Sequence, residues 1–434
     1  MDFYNLSLRE LVAGVNDRRW SATAVMRAHA QRIEAREPKV EAWEHLDLDR
    51  ALHEAAAMDS SDTPQPLKGA PVAIKDIIDV AGMPTRYGSP VYADASPAFE
   101  SAECVAALER AGAIVLGKSV TTEFAYYTPR KTRNPWNTAH TPGGSSMGSA
   151  ASVACGMAAG ALGTQTNGSV IRPAAFCGIV GYKPSFGTAS NHGTLDPWPA
   201  LDHTGVFGRC VGDAALLASV ITKPGTVNPA VRLPAHAPRL AVVQTPVWHL
   251  ATPTQKDRLA ADAETLRHAG AKVEHAELPP RFADAHRAHR VIMAYEGARY
   301  FCELQCRHRD LMSARFNELL DEGATIDETV YEDALRLAQA LRQDYAAFMN
   351  AYDAILTPPA PGEAPPTLTE TGNPAFCTIW TLLGAPAITI PVGLGPAGLP
   401  LGLQIAGTYL LDDDLIGVAA WAEAHLPFIA VNSE

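Results

Sequence analysis

Pro142-Gly-Gly-Ser-Ser-Met-Gly-Ser-Ala-Ala-Ser-Val-Ala154 is followed closely by Gly163-Thr-Gln-Thr-Asn-Gly-Ser-Val-Ile-Arg-Pro-Ala-Ala-Phe-Cys-Gly-Ile-Val-Gly-Tyr-Lys-Pro184. From Gly143 to Gly163 all but five residues are Gly, Ala or Ser, a composition that lets neighbouring backbones pack very close. After the Gly-Gly-Ser-Ser turn the pattern predicts a thin, buried helix over Ser149 to Ala161. A short strand-like run then enters Thr166-Asn-Gly-Ser169, and Pro173 suits the first turn of a further helix. Ser169 therefore falls on a strand-to-helix turn, where successive backbone N–H groups point outward toward any developing negative charge. Upstream, the apolar run Pro71-Val-Ala-Ile-Lys75-Asp76 carries a lysine. Two serines and a lysine offer a nucleophile and a base without a histidine.

Outward from this core, helix and strand patterns alternate. Ser7 and Glu10 form a capping-box pattern, with Leu8, Leu11, Val12 and Val15 on one helical face. A helical pattern from Ser101 to Ala111 stops at Gly112 and gives way to the strand-like Ala113-Ile-Val-Leu116. Leu240 to Val243 reads as a strand. It leads into a helix with Thr252 as N-cap, Pro253 at its first position and Gly270 after its end, then Ala271 to Glu274. A long helix is predicted over Asp327 to Asn350, and strand-like runs at Ala354 to Leu356, Ala387 to Ile390 and Leu401 to Ile405. The whole reads as one large α/β sheet protein, with a helix-rich insertion or subdomain over residues 215–350. The Pro-rich stretches Lys223 to Pro238 and Pro358 to Pro366 read as surface loops within one domain.

The chain of 434 residues is 47 % hydrophobic and 19 % charged, enough to bury a large core. A net charge of −12 without a basic cluster gives no electrostatic footprint for binding nucleic acid by itself or an anionic membrane. A small-molecule partner is expected. The amino terminus lacks a secretory pattern, no stretch has the apolar length of a membrane span, and seven scattered cysteines form no Cys-x-x-Cys pair. A cytoplasmic location is expected. Cys302, Cys306 and His308 lack a fourth ligand of recognisable spacing and read as buried small residues rather than a metal site.

Two motifs are decoys. Gly144-Ser-Ser-Met-Gly148 fits G-x-S-x-G around Ser146, but the polar, proline-broken Lys131 to Pro142 cannot be the buried strand that such an elbow requires. Gly393-Leu-Gly-Pro-Ala-Gly398 fits G-x-G-x-x-G, yet a strand-like run follows it, so it reads as a turn between strands.

The two long segments quoted first resemble the amidase signature. The likeness extends to Gly69-Ala-Pro-Val-Ala-Ile-Lys-Asp76, Asn134-Pro-Trp136, Gly384-Ala-Pro-Ala-Ile388 and Gly398-Leu-Pro-Leu-Gly-Leu-Gln404, and so covers most of the chain. The resemblance implies a single domain over residues 1–434: a large mixed, twisted β-sheet covered by helices on both sides. It also implies hydrolysis of the carbon–nitrogen bond of a small amide, with no metal or organic cofactor. Carried over, Ser169 is the nucleophile, Ser145 the bridging serine after a cis Gly144–Ser145 peptide, and Lys75 the general base. The oxyanion falls to the backbone N–H groups of Thr166, Asn167, Gly168 and Ser169, and Thr164 supports Ser145. As a base, Lys75 must be neutral. At its ordinary pKa that costs roughly 5 kcal/mol at pH 7, which burial beside Ala73 and Ile74 and hydroxyl contacts must reduce.

Asn167 stands where the family usually has Gly, Gln165 where it often has Asp, and Met147 where Gly is common. Arg172 lies three residues after Ser169 rather than two. This order, the preceding Thr-Gln-Thr and the short chain resemble the malonamidase-like branch, in which the arginine binds a substrate carboxylate. That likeness implies a small acid amide such as malonamate, paired bidentately with Arg172, and suggests a homodimer. The alternative for Arg172 is a structural ion pair. Tyr126, Tyr127 and Arg130 are candidates to line the same pocket. Three other readings stand beside this one. The chain could be the amidase subunit of a complex that feeds ammonia to an enzyme acting on aminoacyl-tRNA, against which its shorter length and motif departures argue. It could be an aryl or acyl amidase with an uncharged substrate. It could be a non-catalytic binding homologue, although all three catalytic positions hold competent residues.

Overall fold

The computed structural model describes residues 2–428, and among them the strand-like runs pair into one mixed sheet of eleven strands. These are β1 (Trp43–Leu46), β2 (Ala70–Lys75), β3 (Ala113–Ser119), β4 (Gly160–Gln165), β5 (Val180–Lys183) and β6 (His203–Gly208). The second half adds β7 (Arg239–Val243), β8 (Lys272–Ala276), β9 (Ala354–Thr357), β10 (Ala387–Leu394) and β11 (Pro400–Ala406). Their order is β1-β3-β2-β4-β6-β5-β10-β11-β9-β7-β8. β2 runs parallel to both β3 and β4, and β7 parallel to β8 and β9, while the other pairs are antiparallel.

Thirteen α-helices among the described residues flank the sheet. The first seven are α1 (Leu8–Asn16), α2 (Ala22–Val40), α3 (Leu48–Asp59), α4 (Glu103–Arg110), α5 (Met147–Ala154), α6 (Ile171–Cys177) and α7 (Val211–Ile221). There follow α8 (Pro253–His268), α9 (Ala285–His308), α10 (Ala314–Ala324), α11 (Glu328–Met349), α12 (Ala375–Leu382) and α13 (Asp412–His425). Successive side chains of a strand point to opposite faces, and here both faces are apolar. Leu240 and Val242 of β7 join one hydrophobic cluster, Ala241 and Val243 the other. Leu356 and Ile355 of β9 divide in the same way.

Caps decide the helix starts. Ser7 and Glu10 close a reciprocal capping box on α1, and Thr252 accepts from Gln255 N at 3.3 Å to start α8 behind Pro253. Three expectations differ from the structure. The thin helix is shorter than read: α5 ends at Ala154, Gly156 takes φ +75°, and Ala159 N donates to Pro71 O as the chain joins β2 in the sheet. Small residues tolerate either state, and the free edge of β2 decides. Pro358 to Pro366 is largely buried, because Ala360 and Ala364 pack with Phe176 and Leu399. Cys302 and Cys306 are exposed on α9 rather than buried. Residues 215–350 carry α8 to α11 but also contribute β7 and β8 to the common sheet.

Candidate active site

Lys75 is the last residue of β2, a strand buried at all six positions between two parallel neighbours. Ile74 pairs with Leu162, so the lysine emerges beside the carboxyl end of β4, where open α/β sheets place their ligands. Its Nζ lies 2.6 Å from Ser145 Oγ and 2.7 Å from Thr164 Oγ1, with none of the side chain exposed. Asp76, next in sequence, turns away to pair with Lys118 at 3.0 Å. Lys75 thus keeps two hydroxyl neighbours and no ion pair among the described residues. Burial lowers its pKa to about 7, against a smaller upward pull from Asp202.

Ser145 is held by a tight turn. Gly143 has φ +84°, and a Cβ there would sit 2.7 Å from Pro173 Cα, so only glycine fits. The Gly144–Ser145 peptide is cis. Ser145 O accepts from Thr122 N and Met147 N, and α5 leaves directly behind it.

Beyond β4 the chain turns through residues 166–169 into α6. Gln165 organises this turn from beneath: its Oε1 accepts from Val170 N at 2.8 Å and Ile171 N at 3.0 Å, and its Nε2 donates to Thr381 Oγ1. Thr381 Oγ1 in turn donates to Asn167 O, and Thr378 Oγ1 to Asn167 Oδ1. Thr166 is tied to Asp202 through its hydroxyl and to His289 Nε2 through its carbonyl. Among the described residues the N–H groups of Asn167, Gly168 and Ser169 donate to no protein acceptor, which leaves them available to an anion. Gln165 stands out in the sequence only as a departure from the family's usual Asp, and Thr378, Thr381 and His289 carry no motif. Only the register of β4 and the packing of α9 and α12 bring them together.

Ser145, Thr166, Asn167, Gly168, Ser169 and Arg172 line one pocket, with Tyr126 and Tyr127 on its wall and Trp198 and Met293 as apolar surface. Its free volume is about 20 Å³, room for a group about the size of one water. Asn167 bounds it, its Nδ2 3.4 Å from Tyr127 Oη. Tyr126 Oη accepts from Arg290. Arg130 does not line the pocket. It is exposed, because the loop after Tyr127 turns out to solvent. Ser146 is fully buried and exchanges hydrogen bonds with the backbone of Thr164, which makes it a structural residue.

Arg172 is 2 % exposed and has no carboxylate partner among the described residues, so it forms no structural ion pair. Nη1 donates to Gly372 O at 2.9 Å, while Nη2 donates to Gly144 O at 2.7 Å and Thr371 Oγ1 at 3.1 Å. Both Nη2 protons are therefore committed. A guanidinium offers parallel donors only on edges that include Nη2, so the bidentate carboxylate contact has no free edge in this arrangement. The arginine instead braces the carbonyl of the peptide before Ser145.

The amidase family profile matches residues 24–416. A glutamyl-tRNA(Gln) amidotransferase subunit from Koribacter versatilis (strain Ellin345) is 30 % identical over 98 % of this chain and 99 % of its own length. The corresponding subunit from Nitratidesulfovibrio vulgaris (strain DP4) is 34 % identical over 91 % and 92 %. A crystal structure of an amidase superposes with a TM-score of 0.88 at 29 % identity, covering 97 % of this chain and all of that one. The chain belongs to the amidase family and is an amide-bond hydrolase.

Proposed function

We propose that the chain cleaves carboxamides through an acyl-enzyme on Ser169, with Ser145 and Lys75 relaying protons. The carrying observation is the buried Lys75 amine, 2.6 Å from Ser145 Oγ and free of any ion pair among the described residues. With a pKa near 7, about half of it is neutral at neutral pH and able to accept a proton. Lys75 takes the Ser145 proton as Ser145 takes that of Ser169, and Ser169 Oγ attacks the amide carbon. The oxyanion is met by the unengaged N–H groups of the 166–169 turn. The proton returns from Lys75 through Ser145 to the leaving nitrogen, the C–N bond breaks, and an ester on Ser169 remains. Water then attacks the ester. Its proton enters the same relay, restoring Ser169 and releasing the acid.

For the substrate, the two full-length relatives favour the amide-hydrolysing component of an amidotransferase over a freestanding malonamate hydrolase. The matches run along nearly all of both partners, so the shorter length of this chain does not speak against that reading. The malonamate reading leans on Arg172, whose Nη2 donors are already engaged. An acidic chain with no basic patch would depend on a partner to engage tRNA. Seven free cysteines suit the cytoplasmic location expected for such a complex.

The test is ammonia release from glutamine, malonamate, succinamate, propionamide and benzamide by the chain alone, with Ser169→Ala as control. Ser169-dependent release from glutamine supports the amidotransferase-type reading. Release confined to malonamate and succinamate overturns it in favour of an acid-amide hydrolase.

A further inference from the structure

Successive carbonyls of the serine turn are held from behind. Thr166 O accepts from His289 Nε2 at 2.8 Å, Asn167 O from Thr381 Oγ1 at 2.6 Å, and Gly168 O from Arg172 N at 3.0 Å. These peptides are trans, so each C=O and the N–H that follows it point to opposite sides. Pinning the carbonyls of residues 166, 167 and 168 therefore aims the N–H groups of Asn167, Gly168 and Ser169 the other way, toward the pocket that this turn lines. Among the described residues those N–H groups have no protein acceptor. The bond from Arg172 N belongs to the first turn of α6, whereas the other two pins are side chains from α9 and α12.

His289 reaches the turn from a helix face that serves the whole site. His286, His289, Arg290 and Met293 fall at i, i+3, i+4 and i+7 on α9. His286 Nε2 bonds to Ala375 O at 2.9 Å where α12 begins, Arg290 Nη1 donates to Tyr126 Oη at 2.9 Å, and Met293 lines the pocket. A buried helix histidine is ordinarily explained by packing, its polar atom satisfied by whichever carbonyl is near. An apolar side chain would fill the same space without the cost of burying an imidazole, which here is 2 % exposed. Burial lowers its pKa to about 4, with His286 and Arg290 adding to the shift, so at neutral pH the ring carries a single proton. A carbonyl only accepts, which places that proton on Nε2 and directs it at Thr166 O.

We infer that His289 is a positioning residue for amide hydrolysis: by holding Thr166 O it aims the Asn167 N–H at the oxyanion, as Thr381 aims the Gly168 N–H through Asn167 O. The inference rests on the Ser169 acyl-enzyme described above. Losing one oxyanion donor costs about 10²–10³ in kcat, and a donor left in place but misaimed costs part of that. The test uses whichever of glutamine, malonamate, succinamate, propionamide and benzamide the parent turns over fastest, with turnover counted per folded protein from the unfolding curve of each variant. His289→Phe should lower kcat by at least about tenfold with KM within about twofold of the parent, the mark of an interaction made only in the transition state. His289→Gln, whose Nε2 can donate to the same carbonyl, should recover at least about half of that loss on a logarithmic scale. The rise of kcat/KM through an apparent pKa of about 7 should persist in both variants, since Lys75 is untouched. If His289→Phe fails to fold, Thr381→Val, which keeps the shape and loses the hydroxyl, takes its place with the same expected split. Should the parent turn over none of the five amides, the rate of Ser169 sulfonylation by phenylmethanesulfonyl fluoride, followed by intact mass, replaces kcat; fluoride leaves as the bond from Ser169 Oγ to sulfur forms. An unchanged kcat, a loss carried by KM, equal losses in the Phe and Gln variants, or a pH profile that loses its rise overturns the positioning role. Parent-level ammonia release by Ser169→Ala, or no labelling of Ser169, overturns the acyl-enzyme reading itself, an outcome distinct from a silent His289 in an enzyme that needs Ser169.

Discussion

Replacing Lys75 with methionine should abolish activity and stabilise the fold. The side chain is fully buried, with a pKa lowered from 10.5 to about 7 by burial. Between those values the unfolded chain holds a proton that the folded chain does not, so stability of the parent rises with pH there, by about 1.4 kcal/mol per unit. Below about 7 the penalty is full. It fades as pH climbs from there to the unfolded value. At pH 7 it amounts to roughly 4 kcal/mol, and at pH 9 to roughly 2 kcal/mol. Methionine removes the penalty but leaves Ser145 Oγ and Thr164 Oγ1 each short of a partner, at about 1 kcal/mol apiece. The net expectation is a variant more stable than the parent by about 2 kcal/mol at pH 7 and nearly equal to it at pH 9. Lys183, also buried and lowered to about 7, contributes the same slope to both proteins and cancels. Denaturant midpoints of the two proteins at pH 7, 8 and 9 give the comparison. A variant less stable than the parent at pH 7, or a stability difference that does not narrow with pH, would refute the buried neutral amine.

The same amine sets the rate profile: kcat/KM should rise through an apparent pKa of about 7, and a profile flat from pH 5.5 to 8.5 contradicts Lys75 as the base. Ser145→Ala should lower kcat by at least about a thousandfold with little change in KM, checked by steady-state ammonia release. Gln165→Leu strands the buried N–H groups of Val170 and Ile171, and should lower stability by about 2–4 kcal/mol along with kcat, read by denaturation and kinetics. Arg172→Lys should depress turnover of charged and uncharged amides alike, because it unbraces Gly144 O. A loss confined to acid amides would instead restore the carboxylate-binding role.

Much of the fold was legible because local signals agreed with the global pattern. The caps at Ser7 and Thr252, the stops at Gly112 and Gly270 and the apolar strand runs all fall where the chain uses them. The G-x-G-x-x-G segment is indeed the turn between β10 and β11, with Gly398 N donating to Gly395 O. The error at Ser149 to Ala161 has a physical cause. A run of Gly, Ala and Ser has no side-chain pattern to distinguish helix from strand, and only the free edge of β2 fixes where β4 begins. At the site, the resemblance to the amidase signature pointed to Lys75, Ser145 and Ser169, which the fold brings to the carboxyl ends of β2 and β4. The braces of the turn were hidden, since Thr378, Thr381 and His289 lie more than 100 residues away and carry no motif. Arg130 was misplaced because proximity in sequence to Tyr127 says nothing about which way a loop turns.

The central claim is that Ser169 becomes acylated during turnover. Intact-mass spectrometry of the enzyme quenched in acid during reaction with an amide that it turns over measures this directly. An adduct equal in mass to the acyl group, mapped to the peptide containing Ser169 and absent from Ser169→Ala, is the predicted result. Continued turnover by Ser169→Ala, or an adduct mapped to Ser145 or Ser146, would contradict the account.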